Sequence, residues 1–184
     1  MEKEQVTSLV ELESNDYRDS SGSANLQEKS ESGDEDICHY LSTWLAKEIP
    51  ISQSLALTPL SWEQGKLIFK VPLQPNRNHM GTGFGGSLYT ASLLVAWSWL
   101  HLKLRELGVT EGIHIVIQDA HIHYPAPMKA DALAICEASS EVAWNRFAKM
   151  FSRYGKGRIS LESHLESEGI TTTQFKGDFV VYRA

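Results

Sequence analysis

Apolar residues along this chain recur with two periods, and each period predicts elements. Ile37, Tyr40, Leu41, Trp44 and Leu45 recur every three or four residues, which is helical spacing, with Asp36 as an N-cap and Pro50 beyond the end. Two short runs, Leu55–Trp62 and Lys66–Pro72, predict strands joined by a turn through Gln64-Gly65. The segment from Gly86 to Leu107 has the length of a long helix, with Lys103 and Arg105 near its end and Gly108 just past it. Leu88, Leu93, Leu94, Val95, Trp97, Trp99, Leu100, Leu102 and Leu104 surround much of it, and a helix apolar nearly all round is a buried one. Strands are then predicted over Ile113–Tyr124, Ala132–Ala138, Gly157–Ser167 and Thr171–Tyr182, the last two closed into a hairpin by Glu168-Gly169. This order implies an α+β architecture, an antiparallel sheet wrapped around one long central helix. No internal repeat is visible.

Composition divides the chain. Residues 1–37 hold 11 acidic and 3 basic residues, a net charge of −8, while the remainder holds 12 acidic and 14 basic, a net of +2. The leader is too poor in apolar residues to offset the entropy of ordering, so we read 1–37 as a disordered acidic tail and 38–184 as one domain. The tail reads as a solvating segment or as a docking one, with Ser30 and Ser32 beside acidic residues. Leu88–Leu104 comes nearest to a membrane span, but Ser92, Ser98, His101 and Lys103 interrupt it. The start Met-Glu-Lys-Glu-Gln lacks the pattern of a signal peptide. Cys38 and Cys136 form neither a disulfide framework nor a zinc pattern. A cytoplasmic protein with reduced thiols, no membrane partner and no metal is expected.

The candidate chemistry lies in the loop Pro75-Asn76-Arg77-Asn78-His79-Met80-Gly81-Thr82-Gly83-Phe84-Gly85-Gly86-Ser87, which runs straight into the central helix. Backbone N–H groups at a helix start lack intrahelical partners, and the macrodipole makes them attractive to negative charge. Such an end suits a thioester oxygen as it becomes an oxyanion. Asn is also a common turn residue, so Asn76 and Asn78 read either as loop formers or as amide donors to substrate.

The loop from Asn76-Arg77-Asn78 through Phe84-Gly85-Gly86-Ser87-Leu88-Tyr89-Thr90, together with Asp119-Ala120-His121-Ile122-His123-Tyr124 and Pro127, resembles the YiiD C-terminal domain family, a hot-dog fold. The resemblance covers Cys38–Ala184. It implies action on acyl thioesters: the family carries a thioesterase label, and members are associated with decarboxylation of malonyl-acyl carrier protein in initiating fatty acid synthesis. It also implies no cofactor beyond the phosphopantetheine of the substrate, with acyl carrier protein or coenzyme A as the carrier. Asn78 matches the second asparagine of the family's loop and is the first candidate for catalysis, with Asn76 second. Gly85, Gly86 and Ser87 supply backbone donors, and Phe84 lines the site.

Many hot-dog hydrolases carry a carboxylate on the central helix about two turns past its start. Residues 86–105 here contain no Asp or Glu, and Leu93 stands near that place. Decarboxylation needs no activated water, so an acid-free helix fits it better than hydrolysis. Hydrolysis stays open through Asp119, and a non-catalytic acyl-thioester binder is the third reading. Asp119, His121 and His123 alternate and share one strand face. Either the apolar face of Ile113, Ile115 and Ile117 turns polar as the strand enters a pocket, or a bulge flips the register. His79 is a candidate carboxylate or phosphate contact, and His121 a hydrogen-bonded core or interface residue. Arg146, Lys149, Arg153, Lys156 and Arg158 form a basic run, either a solvated face or an attraction for phosphates or an acidic carrier, so Arg153 and Arg158 join the binding candidates. No nucleic-acid motif accompanies Trp144 and Phe147. An exposed sheet edge predicts a homodimer, with the loop of one subunit meeting strand residues of the other.

Overall fold

A computed structural model describes residues 37–137 and 140–184. The leader, with Asp36, Ser30 and Ser32, and the strand end at Ala138 lie outside the described residues. The elements are α1 (residues 37–48), α2 (Ile51–Ser54), β1 (Thr58–Glu63), β2 (Lys66–Val71), α3 (Leu73–Asn76), α4 (Gly85–Glu106), β3 (Ile113–His123), β4 (Ala132–Glu137), α5 (Glu141–Tyr154), β5 (Lys156–Ser167) and β6 (Ile170–Arg183). The strands form one sheet in the order β1-β2-β4-β5-β6-β3, antiparallel at every pairing. Both hairpin turns have two residues in the left-handed region, Gln64 and Gly65 (φ 48° and 74°) and Glu168 and Gly169 (φ 52° and 75°). That geometry matches the right-handed twist of paired strands.

Helix α4 lies across the inner face of the sheet. Twelve of its 22 residues are buried, so neighbours surround most of it, as the apolar pattern requires. Trp99, Leu100 and Val95 pack in one core with Leu67 and Phe69 of β2, Ala134 of β4, Leu161 and Leu165 of β5, and Phe179 of β6. Burial pushes the Cys136 thiol far above its ordinary range, so it is an inert core residue.

Helix α1 is fastened to the far half of α4 by rings. The His101 ring lies 4.6 Å from Trp44 and 5.3 Å from Trp97, and Trp44 stacks on Trp97 at 5.1 Å. Arg105 donates to the Tyr40 hydroxyl oxygen at 3.1 Å, which leaves the hydroxyl hydrogen for His101 Nε2 at 2.8 Å. Burial, helped by the Arg105 charge, lowers the His101 pKa to about 4, so its ring is neutral at physiological pH.

Three features depart from the sequence pattern. Strand β1 begins at Thr58 rather than Leu55, because Leu55 closes the turn of α2 and Ala56 at φ 51° redirects the chain. The basic run contains a helix, α5, that the apolar spacing did not predict. Ser140 caps it by accepting from Ala143 N–H at 3.3 Å, and Gly155 at φ 66° ends it. Phe147 and Phe151 are its buried residues, and Arg146, Lys149 and Arg153 face solvent. In β3 the register slips between Ile117 and Asp119. Ile113, Ile115 and Ile117 face inward before the slip, and Ala120 and Ile122 after it. The bulge explains the change from oily to polar, and beyond it His121 and His123 border a cavity of about 880 Å³ with Glu162, His164 and Lys176.

Candidate active site

Residues 76–84 form a small closed loop. Phe84 N–H donates to Asn76 O (2.7 Å) and Asn78 N–H to Thr82 O (2.7 Å), while Gly83 N–H donates to Met128 O (2.9 Å). Asn78 fills the loop with its own amide. Its Oδ1 accepts from Met80 N–H (2.8 Å) and Thr82 N–H (3.2 Å), and its Nδ2 donates to Thr82 Oγ1 (3.0 Å) and, at 3.5 Å, to Gly83 O. Asn76 is buried and works behind the loop. Its Nδ2 donates to Leu55 O and Pro72 O, both at 2.8 Å, tying α2 and α3 to the loop, while its Oδ1 has no partner. His79 and Met80 stand exposed at the tip.

The loop delivers the chain to α4 with its N-terminus uncapped. The N-cap is Phe84, which offers no side-chain acceptor, and the first turn carries no acid. The positive end of a 22-residue helix is therefore uncompensated by any side chain of its cap or first turn. Gly86 has a steric reason to be glycine. A Cβ there would fall 2.6 Å from the Phe84 ring, so only glycine lets that ring lie on the first turn. Beside it Tyr124 donates its hydroxyl to Gly85 O at 2.8 Å, and partial burial raises its pKa. That bond fixes the peptide unit whose other end is the Gly86 N–H. A cavity of about 290 Å³ opens here, lined by Thr82, Gly83, Leu88, Tyr124, Pro127 and Met128. Tyr124 was missed as a site residue by sequence reasoning. Its signals were its place at the end of the motif from Asp119 to Tyr124 that carries the family resemblance, and an aromatic ending the alternating strand just ahead of Pro125 and Pro127.

The structure gathers Asn76, Asn78, His79, Phe84, Gly85, Gly86 and Ser87 in one region and leaves the other candidates outside it. The β3 bulge turns Asp119 and His121 to the outer face of the sheet, with side chains 64% and 83% exposed. The Asp119 carboxylate accepts from the Ala120 N–H there. Arg158 also points outward, 3.5 Å from the Asp178 carboxylate, and Arg153 lies over the Tyr154 ring on α5. Among the described residues no cluster of three His, Cys, Asp or Glu is placed to hold a metal ion, and no helix is long and apolar enough to cross a membrane.

An antiparallel sheet curled about one buried helix, with a glycine-rich start to that helix, defines a hot-dog fold of the thioesterase class. The chain belongs to the family described as "Putative thioesterase (yiiD_Cterm)", which matches residues 38–183. Two solved structures share about a third of its sequence. A protein of unknown function from Chlorobaculum tepidum is 30% identical, with a TM-score of 0.75 over 82% of this chain and 96% of that one. A "putative thioesterase" from Shewanella oneidensis is 31% identical, with a TM-score of 0.68 over 79% and 97%. A "Probable Thioesterase" from Pseudomonas aeruginosa, at 19% identity and a TM-score of 0.60 over 82% and 95%, shares the fold. No curated protein matches the chain.

Proposed function

We propose that the protein decarboxylates a malonyl thioester to the acetyl thioester, on acyl carrier protein or coenzyme A. One observation carries the reading: the uncapped start of α4 offers donors for an oxyanion, and among the described residues no carboxylate lines the cavity beside it. Helix α4 has no Asp or Glu before Glu106, none lines the cavity at Tyr124, and Asp119 faces the other side of the sheet. In the reaction the bond between the malonyl carboxylate and Cα breaks. Carbon dioxide leaves, and the electron pair passes through Cα to the thioester oxygen as an enolate. A proton from water then reaches Cα and restores the carbonyl. The chain's task is to hold negative charge on that oxygen, which suits the Gly86 and Ser87 N–H groups. Tyr124 acts through the Gly85–Gly86 peptide as a positioning residue. Asn78 Nδ2 is suited to exchange its 3.5 Å contact with Gly83 O for the substrate. His79 at the loop tip is a contact for the malonyl carboxylate, and the exposed Phe84 for the acyl arm.

The open edge of β3, with exposed Met80, Phe84 and Tyr124 nearby, supports a homodimer that closes the site. Hydrolysis is the second reading, favoured by the family description and by Asp131, which borders a groove with Arg77 and Gly81. That carboxylate accepts from Leu73 N–H (2.9 Å) and lies 3.2 Å from Lys70, contacts that hold its pKa below the usual range and make it a weak base. The test is to incubate the protein with malonyl-carrier protein and with malonyl-coenzyme A and follow products by mass. Loss of carbon dioxide with the thioester intact is the expected result. Free malonate and free thiol would make it a hydrolase, and tight binding without turnover a binder.

A further inference from the structure

A groove of about 1010 Å³ separates the solvent side of α5 from the outer face of the sheet, far from the α4 start. Val142, Met150 and Tyr154 line it and are 77%, 46% and 58% exposed, unusual for apolar groups on a polar helix. Arg146 and Lys156 rim it together with Arg158, which already faces the Asp178 carboxylate at 3.5 Å, and no Asp or Glu lines it. Arg146 and the neighbouring Lys149 make no ion pair among the described residues. The groove therefore asks for an occupant that is both apolar and acidic.

We propose that the acidic leader of this same chain docks there, through its segment Val6–Asp16. Charge complementarity selects it, since the leader carries a net −8 against a net +2 for the rest. Its sequence also alternates the needed groups, setting Leu9, Val10 and Leu12 among Glu11, Glu13 and Asp16. The attachment point suits the proposal. Helix α1, where the described chain begins, and α5 flank the same turns of α4: Tyr40 and Trp44 on Trp97 and His101, Trp144 on Trp99 and under Lys103. The 25 residues from Leu12 to Ile37 span up to ~80 Å when extended, several helix diameters. Tethering raises the local concentration of the segment to the order of millimolar, so a weak motif suffices. An acidic partner that uses α5 must then displace the leader. The proposal does not depend on which thioester reaction the site performs.

The test is paramagnetic broadening in the full chain. A nitroxide is attached at Ser8→Cys in a Cys38→Ser background, the buried Cys136 being unreactive. At low salt the Val142 and Met150 methyl signals lose most of their height, while signals from β1 and β2 do not. Arg146→Glu with Lys149→Glu, both at exposed helix positions, restores them, as does Glu11→Lys with Glu13→Lys in the leader. High salt reduces the loss. Unbroadened α5 signals, or broadening that both charge reversals leave intact, overturn the proposal. So does broadening seen only between a spin-labelled copy and an isotope-labelled one. Shifts on α5 that appear only on adding an acidic carrier protein, with no leader broadening, would assign the groove to that partner instead.

Discussion

In the proposed reaction Tyr124 acts through the Gly85–Gly86 peptide, and that makes its role separable. Tyr124→Phe keeps the ring against Gly85 and removes the donor, so the Gly86 N–H loses orientation while binding contacts stay. We expect kcat on malonyl thioester to fall about tenfold, the ~1.4 kcal/mol of one weakened hydrogen bond, with KM nearly unchanged. A parallel rise in KM would mark the hydroxyl as structural. Asn76 behaves differently, because its two buried bonds hold the frame. Asn76→Ala should lower the unfolding free energy by ~1–3 kcal/mol, read from the denaturant midpoint, before any effect on chemistry is considered. His101 imposes a pH dependence on stability. Its folded pKa is about 4 against 6.5 when unfolded, so the unfolded chain binds the extra proton first. Stability from this group is complete above pH 6.5 and is lost as pH falls toward 4, by up to ~3 kcal/mol. Denaturant midpoints across that range should show the slope, and His101→Phe should remove it. The loop asparagines were legible as candidates from the glycine-rich motif. That Asn78 fills its own loop was not, because amide partners depend on the closure between Asn76 and Phe84, which no spacing encodes.

At the level of elements, legibility followed the length of the apolar signal. Helix α4 was readable to within one residue at each end because 22 residues of one kind leave little choice, and the two Gly-containing turns fixed the hairpins. Helix α5 escaped because its core contribution rests on Trp144, Phe147 and Phe151 within a polar, basic stretch. Its attachment is correspondingly concentrated. Phe147 sits against Gly157, where a Cβ would come within 2.8 Å of the ring, so the helix lies close on β5. Phe147→Ala should cost ~3–5 kcal/mol by emptying that contact. Hydrogen exchange should then quicken first in residues 141–154, and an unaltered exchange pattern would mean that α5 is held elsewhere.

The whole molecule has a polar outside, a packed inside and one long free strand at the edge. If β3 joins the same strand of a second copy, light scattering should return twice the 20.6 kDa of the chain. Amides along β3 should also become protected at high concentration and exchange on dilution; a monomer with exchanging β3 amides at all concentrations would refute the pairing. That the sheet exposes an edge was legible in advance, but not which strand forms it, and the facing of the β3 residues stayed between two readings, since a switch of apolar positions from odd to even fits a bulge or a strand entering a pocket. Away from the single extra residue of the bulge, the strand is far more sensitive to a change of length than to a change of letter. Removing Gln118 would restore an unbroken alternation and leave every residue beyond it facing as before, because Gln118 is that extra residue. Removing Ala120 instead, with the bulge kept, would turn His121 and His123 toward the hydrocarbon interior and Ile122 toward water. Natural variants of this chain should therefore tolerate substitutions at the outward positions 119, 121 and 123, and between 118 and 123 a change of length only at the bulge itself.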